Sequence, residues 1–320
     1  MFRIVSVCVI ALSGLAITSA SAQSYPAKPL RFVVGFAPGG APDTMTRIFA
    51  DRLPAALGQP IVVENRPAAG GLVAAENVSK APADGYMLLS TATASFVPAL
   101  VKNVPYDPIN DFAGIAPLAN IHAVVVTGPS TNFKSLKELI AFAKANPGKL
   151  TFGSSGTGTP VHMSSEQFRH AAGFDALHVP QKGASQSIIE VVAGRLDFYN
   201  SPVVAALSML RAGKLNALAV LSTSRVALLP NVPTMAEAGL PEGAFQSGVG
   251  TWAPARTPRD IVQRLNREIG RVAQSAEVRD LLHSQGAEPW SMTPEQFDEF
   301  VRAYSTRQAA LVKAIGIKPE

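Results

Sequence analysis

Two glycine-rich segments hold the residues whose types and spacing could bind a charged ligand. In the first, Phe36-Ala-Pro-Gly-Gly-Ala-Pro-Asp43, a short apolar run is followed by two glycines and then by an amphipathic stretch. Such a strand–turn–helix pattern leaves the first N–H groups of the helix unpaired at the positive end of its dipole. Gly39 and Gly40 have no Cβ, so a ligand can approach this backbone closely. The segment therefore predicts a seat for an anion, and sulfate, phosphate and carboxylate all fit it.

The second segment, Thr151-Phe-Gly-Ser-Ser-Gly-Thr-Gly-Thr-Pro-Val-His162, repeats this order of strand end, small residues and helix start. Thr159 and Pro160 have the residue types that are preferred at the N-cap and at the first position of a helix. The residues after the predicted strand that offer hydroxyl groups are Ser154, Ser155, Thr157 and Thr159. Ligands of open α/β sheets bind beyond the carboxyl ends of the strands, where both segments fall. One such loop in each half of the chain predicts a ligand held between two lobes.

Enzymatic interpretations of these segments are weaker. Gly156-Thr-Gly158 lacks the third glycine of a dinucleotide fingerprint, and neither segment has the lysine of a phosphate-binding P-loop. Thr157 stands where a G-x-S-x-G nucleophile elbow has its last glycine. The five histidines show no metal-binding spacing. We expect no catalysis, no cofactor and no metal, with an exported hydrolase that pairs His162 with Ser155 as an alternative.

Asp43 has two interpretations. A carboxylate in the first turn of a helix stabilises the helix dipole, which would be a structural role. The same carboxylate could orient the binding loop or accept a hydrogen bond from the ligand. Both roles stay open at this point.

The N-terminus predicts export. Arg3 is followed by an apolar run over residues 4–17 and by the cleavage pattern Ala20-Ser-Ala22, which together are typical of a secretory signal peptide. We expect cleavage after Ala22 and a periplasmic protein. Cys8 is the only cysteine, so the mature chain would have no disulfide.

The net charge of +5 is spread along the chain and does not form a nucleic-acid-binding patch.

The remaining chain of about 298 residues suggests two domains. Strand-like and helix-like segments alternate, which favours an α/β fold with mainly parallel sheets. We predict strands at 30–35, 60–64, 87–91, 123–127, 150–153, 176–179, 196–199 and 215–221. We predict helices at 43–57, 136–145, 164–172, 185–193, 203–212, 258–274, 276–285 and 294–315. Residues 23–122 plus 249–320 would form lobe 1 and residues 123–248 lobe 2, with crossovers near 120–124 and 248–254, and the helical C-terminal tail would pack on lobe 1.

Short motifs along nearly the whole mature chain resemble those of tripartite tricarboxylate transporter substrate-binding receptors, the Bug family. Each motif alone is weak, but their order and spacing together are highly specific. The matching stretches are Tyr25-Pro-Ala-Lys-Pro29, Phe36-Ala-Pro-Gly-Gly40 with Asp43 and Arg47, Val63-Glu-Asn-Arg-Pro67, Ala83-Asp-Gly-Tyr86, Pro105-Tyr-Asp-Pro108, Asn146-Pro-Gly-Lys149, Gly153-Ser-Ser-Gly156, His178-Val-Pro180 with Lys182-Gly183, and Leu229-Pro-Asn-Val-Pro-Thr234 with Glu237-Ala-Gly239.

The resemblance implies a two-lobed type II periplasmic-binding-protein fold with two hinge crossovers. It also implies that a small carboxylate-bearing solute binds in the cleft without catalysis, with hinge closure around it. The implied contacts in lobe 1 are Phe36, Ala37, Gly39, Gly40 and Ala41, with Asp43 behind them, and Thr91 and Thr93. The implied contacts in lobe 2 are Ser154, Ser155, Gly156, Thr157 and Thr159, with His162 at the rim, and Asn200 and Ser201.

Two departures from the family pattern bear on ligand preference. Gln181 takes the place of the usual tyrosine before Lys182-Gly183, which would exchange an aromatic wall for an amide if this position faces the cleft. Ala41-Pro42 replaces the commoner small polar pair before Asp43. We expect a monomer that delivers its ligand to the membrane permease subunits of such a transporter and does not bind nucleic acid. A receptor that signals to a sensor protein is the alternative.

Overall fold

The computed structural model describes residues 25–67, 71–97 and 104–316, so the predicted signal peptide lies outside the described residues. The strands there are β1 (Leu30–Val34), β2 (Ile61–Asn65), β3 (Met87–Ala92), β4 (Phe112–Ile121), β5 (Ala123–Thr127), β6 (Leu150–Ser154), β7 (Ala176–Pro180), β8 (Phe198–Pro202), β9 (Asn216–Val220), β10 (Ser247–Pro254) and β11 (Ala287–Pro289). The helices are α1 (Ala41–Ala50), α2 (Leu53–Leu57), α3 (Leu72–Ser79), α4 (Leu136–Ala145), α5 (Pro160–Ala172), α6 (Ala184–Val192), α7 (Val203–Arg211), α8 (Arg259–Ala273), α9 (Ala276–Ser284) and α10 (Pro294–Ile315). Within these ranges, no helix has the length and apolar character that a membrane crossing requires.

The strands form two sheets, each covered by helices. One sheet has the order β11-β4-β10-β3-β1-β2 and the other β7-β6-β8-β5-β9. β1 runs parallel to β2 and β3, and β6 runs parallel to β7 and β8. These parallel segments bring the carboxyl ends of β1 and β6, and the glycine-rich segments that follow them, to corresponding places in the two sheets.

The expectation of mainly parallel sheets was wrong, because β5 runs antiparallel to β8 and β9, and β4 and β10 run antiparallel to their neighbours. Neither β4 nor β10 was predicted as a strand. β4 contains Pro117, which lies at a shift in the β4–β10 register between Val249 and Gly250. Proline cannot donate to a strand ladder and is confined to edges and bulges, so the segment does not look like a central strand. Its burial comes from pairing with β10, which local periodicity does not reveal.

All eight strands predicted from apolar runs are present, and α10 has the predicted bounds. The predicted helix 43–57 is two helices, since α1 ends at Ala50 and α2 begins at Leu53. Pro54 lies in the first turn of α2, where its missing N–H and its restriction of the preceding residue favour a new helix start. α3 was not predicted.

The chain passes from the first sheet to the second between Ile121 and Ala123. It returns shortly before Ser247, because Phe245 still donates its N–H to the carbonyl of Leu221 at the edge of the second sheet. The division into lobes at residues 122 and 248 remains a prediction that agrees with these two crossings.

The last helix contacts both sheets, although it was expected on the first alone. Near its start, the Asp298 carboxylate accepts the N–H of Gly114 in β4 at 2.8 Å. Further along, Tyr304 lies in the core cluster of the second sheet. Gln308 donates its amide to the side-chain oxygen of Gln167 in α5 at 3.1 Å. α10 therefore connects the two halves beside the crossings.

Candidate ligand-binding site

The first loop (residues 35–40) joins β1 to α1 and uses its own N–H groups to hold its shape. Gly40 donates its N–H to the carbonyl of Ala37 at 3.1 Å, which closes a turn. Gly39 has φ of +79° inside that turn, a conformation that favours glycine. The Gly39 N–H donates to Asp43 Oδ2 at 2.8 Å. Among the described residues, the N–H of Ala41 at the first position of α1 has no acceptor.

Asp43 braces the first loop from behind. Its buried carboxylate accepts hydrogen bonds from the Gly39 N–H at 2.8 Å, Asn65 Nδ2 at 2.7 Å and Arg47 Nε at 3.0 Å. Asn65 also donates to the carbonyl of Phe36 at 3.0 Å. Burial raises the pKa of Asp43, but the hydrogen bonds from Arg47, Gly39 and Asn65 outweigh it and hold the pKa below its ordinary value. The structure therefore supports the loop-orienting interpretation of Asp43.

The second loop (residues 155–159) joins β6 to α5 and is built in the same way. Thr159 donates its N–H to the carbonyl of Gly156 at 3.4 Å, and Gly158 has φ of +74°. The Thr159 hydroxyl accepts the N–H of His162 at 3.3 Å, which makes Thr159 the N-cap of α5 as predicted. The same hydroxyl donates to the carbonyl of Gly156 at 2.8 Å. Gly158 in turn donates its N–H to Nδ1 of His162 at 3.0 Å.

His162 is not at the rim of a cleft but buried beneath the second loop. It is 3% exposed, and its ring stacks on the ring of His178 with centroids 3.9 Å apart and an interplanar angle of 12°. His178 stacks in turn on Phe152 at 5.0 Å, and His178 Nε2 lies 2.7 Å from the Oγ of Ser154. Burial, together with the neighbouring His162, lowers the pKa of His178 to about 4. Neither this stack nor a role for His178 was predicted from the sequence.

The two loops are therefore equivalent, with one brace each. In both, the residue before the N-cap is a glycine of positive φ whose N–H donates to the side chain at the third position of the following helix. This arrangement differs from the usual capping box, in which the side chain at the third helical position bonds to the N-cap itself. The corresponding pairs are Ala37 and Gly156, Gly39 and Gly158, Gly40 and Thr159, and Asp43 and His162.

The remaining predicted site residues fall into two groups. Thr157 and Ala41 are exposed, and Ser155 and Gln181 are half-buried beside the second loop. The others are buried and already have partners or near neighbours within the protein. The Ser154 hydroxyl accepts the N–H of Gly156 at 3.1 Å, Thr91 Oγ1 lies 3.0 Å from Ser95 Oγ, Thr93 Oγ1 accepts the N–H of Gly248 at 3.4 Å, Asn200 Nδ2 lies 3.4 Å from Ser164 Oγ, and Ser201 donates to the carbonyl of Pro202 at 3.0 Å.

A second helix start lies beside the first loop, and the sequence analysis missed it. α3 begins after Gly71, whose Cα would be 2.6 Å from a Cβ built on Gly35. The hydroxyl of Thr91 lies close to both glycines. Only glycine at position 35 permits this approach, and the φ of +99° at Gly71 favours glycine there as well. The backbone at the start of α3 therefore comes directly against the first loop. The glycine pair at positions 70 and 71 was the signal in the sequence.

The fold and the two braced loops define a class of protein, a two-lobed α/β ligand-binding protein whose loops follow the carboxyl ends of parallel strands. Within the described residues, no cluster of three His, Cys, Asp or Glu side chains has the arrangement of a metal site. The donors that the loops present are backbone N–H and hydroxyl groups, which suit an anion.

Comparisons with known proteins identify the family. A family model described as tripartite tricarboxylate transporter family receptor matches residues 45–317. Protein BugT of Bordetella pertussis is 37% identical over 314 residues, which are 97% of this chain and 95% of the relative. The chain therefore belongs to the tripartite tricarboxylate transporter receptors of the Bug family, which are periplasmic solute-binding proteins.

Two solved structures share this fold and were determined with carboxylates. Rpa4515 of R. palustris, solved with adipate, has a TM-score of 0.78 and 32% identity, with 92% of this chain and 100% of that chain covered. MatC of Rhodopseudomonas palustris, solved with bound malate, has a TM-score of 0.75 and 29% identity, with 90% and 100% covered.

Proposed function

We propose that this receptor captures a small carboxylate-bearing solute between its first and second loops. The observation that carries the proposal is the equivalence of the two loops, each held by an internal brace so that a helix start faces outward. A carboxylate has two oxygens, and helix starts in two lobes suit the ends of a dicarboxylate or the two sides of one carboxylate. Binding of adipate and malate by relatives of the same fold supports this ligand class.

The proposed contacts differ in how they act. The groups that can donate to a ligand are the Ala41 N–H and the hydroxyl groups of Ser155 and Thr157. Gly39 and Gly40 contribute close approach to the backbone, since their N–H groups are taken within the loop. The rest of the predicted set lines or supports the cleft, with Gln181 at the end of β7.

We further propose that the lobes close on the ligand by rotation about the two crossings near residues 122 and 246. A ligand that contacts both loops binds the closed form more tightly and shifts the equilibrium toward it. α10 spans both halves, so closure must be accommodated along this helix. The Gln308–Gln167 hydrogen bond joins α10 to α5, so during closure it must either break or move together with α5.

A binding role without catalysis agrees with the burial and the hydrogen bonds of the serine and histidine side chains. Ser154 lies 2.7 Å from His178, the distance of a nucleophile–base pair, but it is fully buried and out of reach of a substrate. Ser155, the half-buried serine, has its Oγ 3.2 Å from the hydroxyl of Tyr199. Nδ1 of His162 is committed to the Gly158 N–H. The hydrolase alternative would need these contacts to rearrange.

Export with cleavage after Ala22 and delivery to permease subunits complete the proposal, in line with the family's role. The ligand class is tested with protein purified from the periplasm, by a thermal-shift screen against adipate, malate and other small carboxylates, each beside its amide. A ligand that binds only the folded state raises the melting temperature with concentration. A shift with an acid that is absent with its amide supports carboxylate capture, whereas equal shifts or none contradict it.

A further inference from the structure

We propose that His162 is a positioning residue whose neutral ring holds the second loop in its binding form, and that protonation of the His162–His178 pair frees the loop and weakens ligand binding. This inference rests on the proposed function, because it gives the second loop a role in carboxylate capture. It assigns to His162 an indirect action through Gly158 and no contact with the ligand.

The hydrogen bond between Gly158 and His162 requires a neutral histidine ring. Gly158 donates its N–H to His162 Nδ1 at 3.0 Å, so that nitrogen must carry a lone pair. The ring proton is then on Nε2, which lies 3.6 Å from Oε1 of Glu166. A second proton on this ring has only Nδ1 to occupy. It would turn the acceptor into a donor that faces the Gly158 N–H, and the hydrogen bond would be lost.

The pair can hold one added proton but not two. The rings of His162 and His178 are stacked with centroids 3.9 Å apart, with His162 buried and His178 half-buried, and two positive charges at this distance repel. The charged groups facing the pair come from α5, where Glu166 is paired with Arg169 at 2.8 Å. β6 contributes the uncharged Phe152 to the stack. Oε1 of Glu166 lies 3.6 Å from Nε2 of His162.

His178 contacts the start of the second loop, whereas His162 contacts its end. His178 Nε2 lies 2.7 Å from Ser154 Oγ, which accepts the N–H of Gly156 at 3.1 Å. The pair therefore contacts the loop at its first turn through Ser154 and at its last turn through Gly158.

The first loop supplies an internal control. Asp43 makes the equivalent hydrogen bond to the Gly39 N–H, and its hydrogen bonds hold its pKa below the ordinary value. Its carboxylate therefore stays ionised at the mildly acidic pH that protonates a histidine. Acid should disturb the second loop and leave the first unchanged.

The deciding experiment is an NMR titration of the ¹⁵N-labelled wild-type protein from about pH 7.5 to about pH 5, a range that spans the ordinary histidine pKa of about 6.5. We expect the ring nitrogens of His162 to show the Nε2–H tautomer at the upper end. The Gly158 amide should move with the titration of the ring, while the Gly39 amide stays in place. A Gly158 amide that does not follow the histidines, or a proton on Nδ1 at neutral pH, would overturn the proposal. This arm needs no ligand and no variant.

The link to binding is tested with adipate and malate as probes, by titration calorimetry on wild type and on His162→Asn. Asparagine offers an acceptor that does not titrate and has the reach by which Asp43 contacts Gly39. His170→Asn, at an exposed position on the same helix, is the matched control. We expect wild type and His170→Asn to lose about tenfold in affinity toward pH 5, and His162→Asn to lose less than about twofold.

Protonation of the probe affects all three proteins equally, so the same pH profile in all of them would overturn the proposed link. If wild type binds neither probe at neutral pH, the proposed function fails for this ligand class. The Gly158 titration still decides the positioning role of His162 in that event.

Discussion

The first and second loops have nearly the same backbone but braces of different chemistry. In the first, Asp43 is ionised and held by Asn65 and by the half-exposed Arg47. In the second, His162 accepts the equivalent hydrogen bond with a neutral ring inside an aromatic stack. A helix start can therefore be presented to a ligand by either an ion pair or a buried stack. What must be shared is one acceptor at the third helical position and a glycine of positive φ.

The faces that the loops offer to a ligand also differ. The first loop is followed by Ala41 and Pro42, which have no side-chain donors, so its contribution is backbone N–H. The second adds the hydroxyl groups of Ser155 and Thr157. If one end of the ligand is a carboxylate and the other is more variable, the first loop is the simpler seat for the carboxylate.

The largest effect is expected from Asp43→Ala. It removes the acceptor for the Gly39 N–H and for Asn65, and it leaves Arg47 with the side-chain oxygen of Asn65 but without its carboxylate partner. We expect a loss of about 2–3 kcal/mol in the free energy of unfolding, measured by urea denaturation. Asp43→Asn keeps an acceptor for Gly39 and should lose about half as much. Equal losses would show that the charge, not the loop contact, is what matters.

Gly40→Val should weaken binding strongly while the protein stays folded. The equivalent position in the second loop carries Thr159, so the backbone there accepts a side chain, and a Cβ on Gly40 would meet the Ala37 carbonyl at 3.2 Å. The γ-methyl groups would block approach to the start of α1. We expect affinity for a bound carboxylate to fall about 100-fold by calorimetry, consistent with one lost charged hydrogen bond of about 1.5–3 kcal/mol. Retained affinity would remove the first loop from the site.

The stability of wild type should fall as the pH is lowered from about 6.5 to about 4. The folded-state pKa of His178 is lowered to about 4. Over this interval, the unfolded chain therefore binds a proton on this residue that the folded protein does not bind there. His122, which is also buried with a lowered pKa, acts in the same direction. We expect His178→Gln to remove about 1–2 kcal/mol of this dependence, less than the full shift because the ring is only partly buried. Parallel pH profiles of the melting temperature in the two proteins would contradict this.

The smallest effect is expected from Gln181→Tyr, which restores the residue usual in the family. Gln181 is half-buried just after β7, and its backbone N–H donates to the carbonyl of Ser154 at 3.1 Å, while its side chain has no hydrogen-bond partner within the described part of the chain. The melting temperature should stay within about 2 °C. The ratio of affinities for an aliphatic and an aromatic acid should change by up to about tenfold. An unchanged ratio would place this side chain outside the cleft.

The elements that could be predicted are those that depend on residues close together in the sequence. Apolar runs gave eight strands, and the two glycine-rich segments gave both loops with the correct N-cap at Thr159. β4 and β10 were missed because their burial depends on each other across about 130 residues of chain, and Pro117 hides the first of them. His162 was expected at a rim only because the family resemblance implies it, whereas its stacking on His178 depends on the register of β6 with β7.

The central claim is that one ligand engages both loops. It is tested most directly by recording the backbone amide signals of the ¹⁵N-labelled protein before and after saturation with the carboxylate that gives the largest thermal shift. The account predicts that Ala41 in the first lobe and Ser155 and Thr157 in the second shift together, and that the matched amide leaves them unchanged. Shifts confined to one loop, or located elsewhere in the protein, would contradict it.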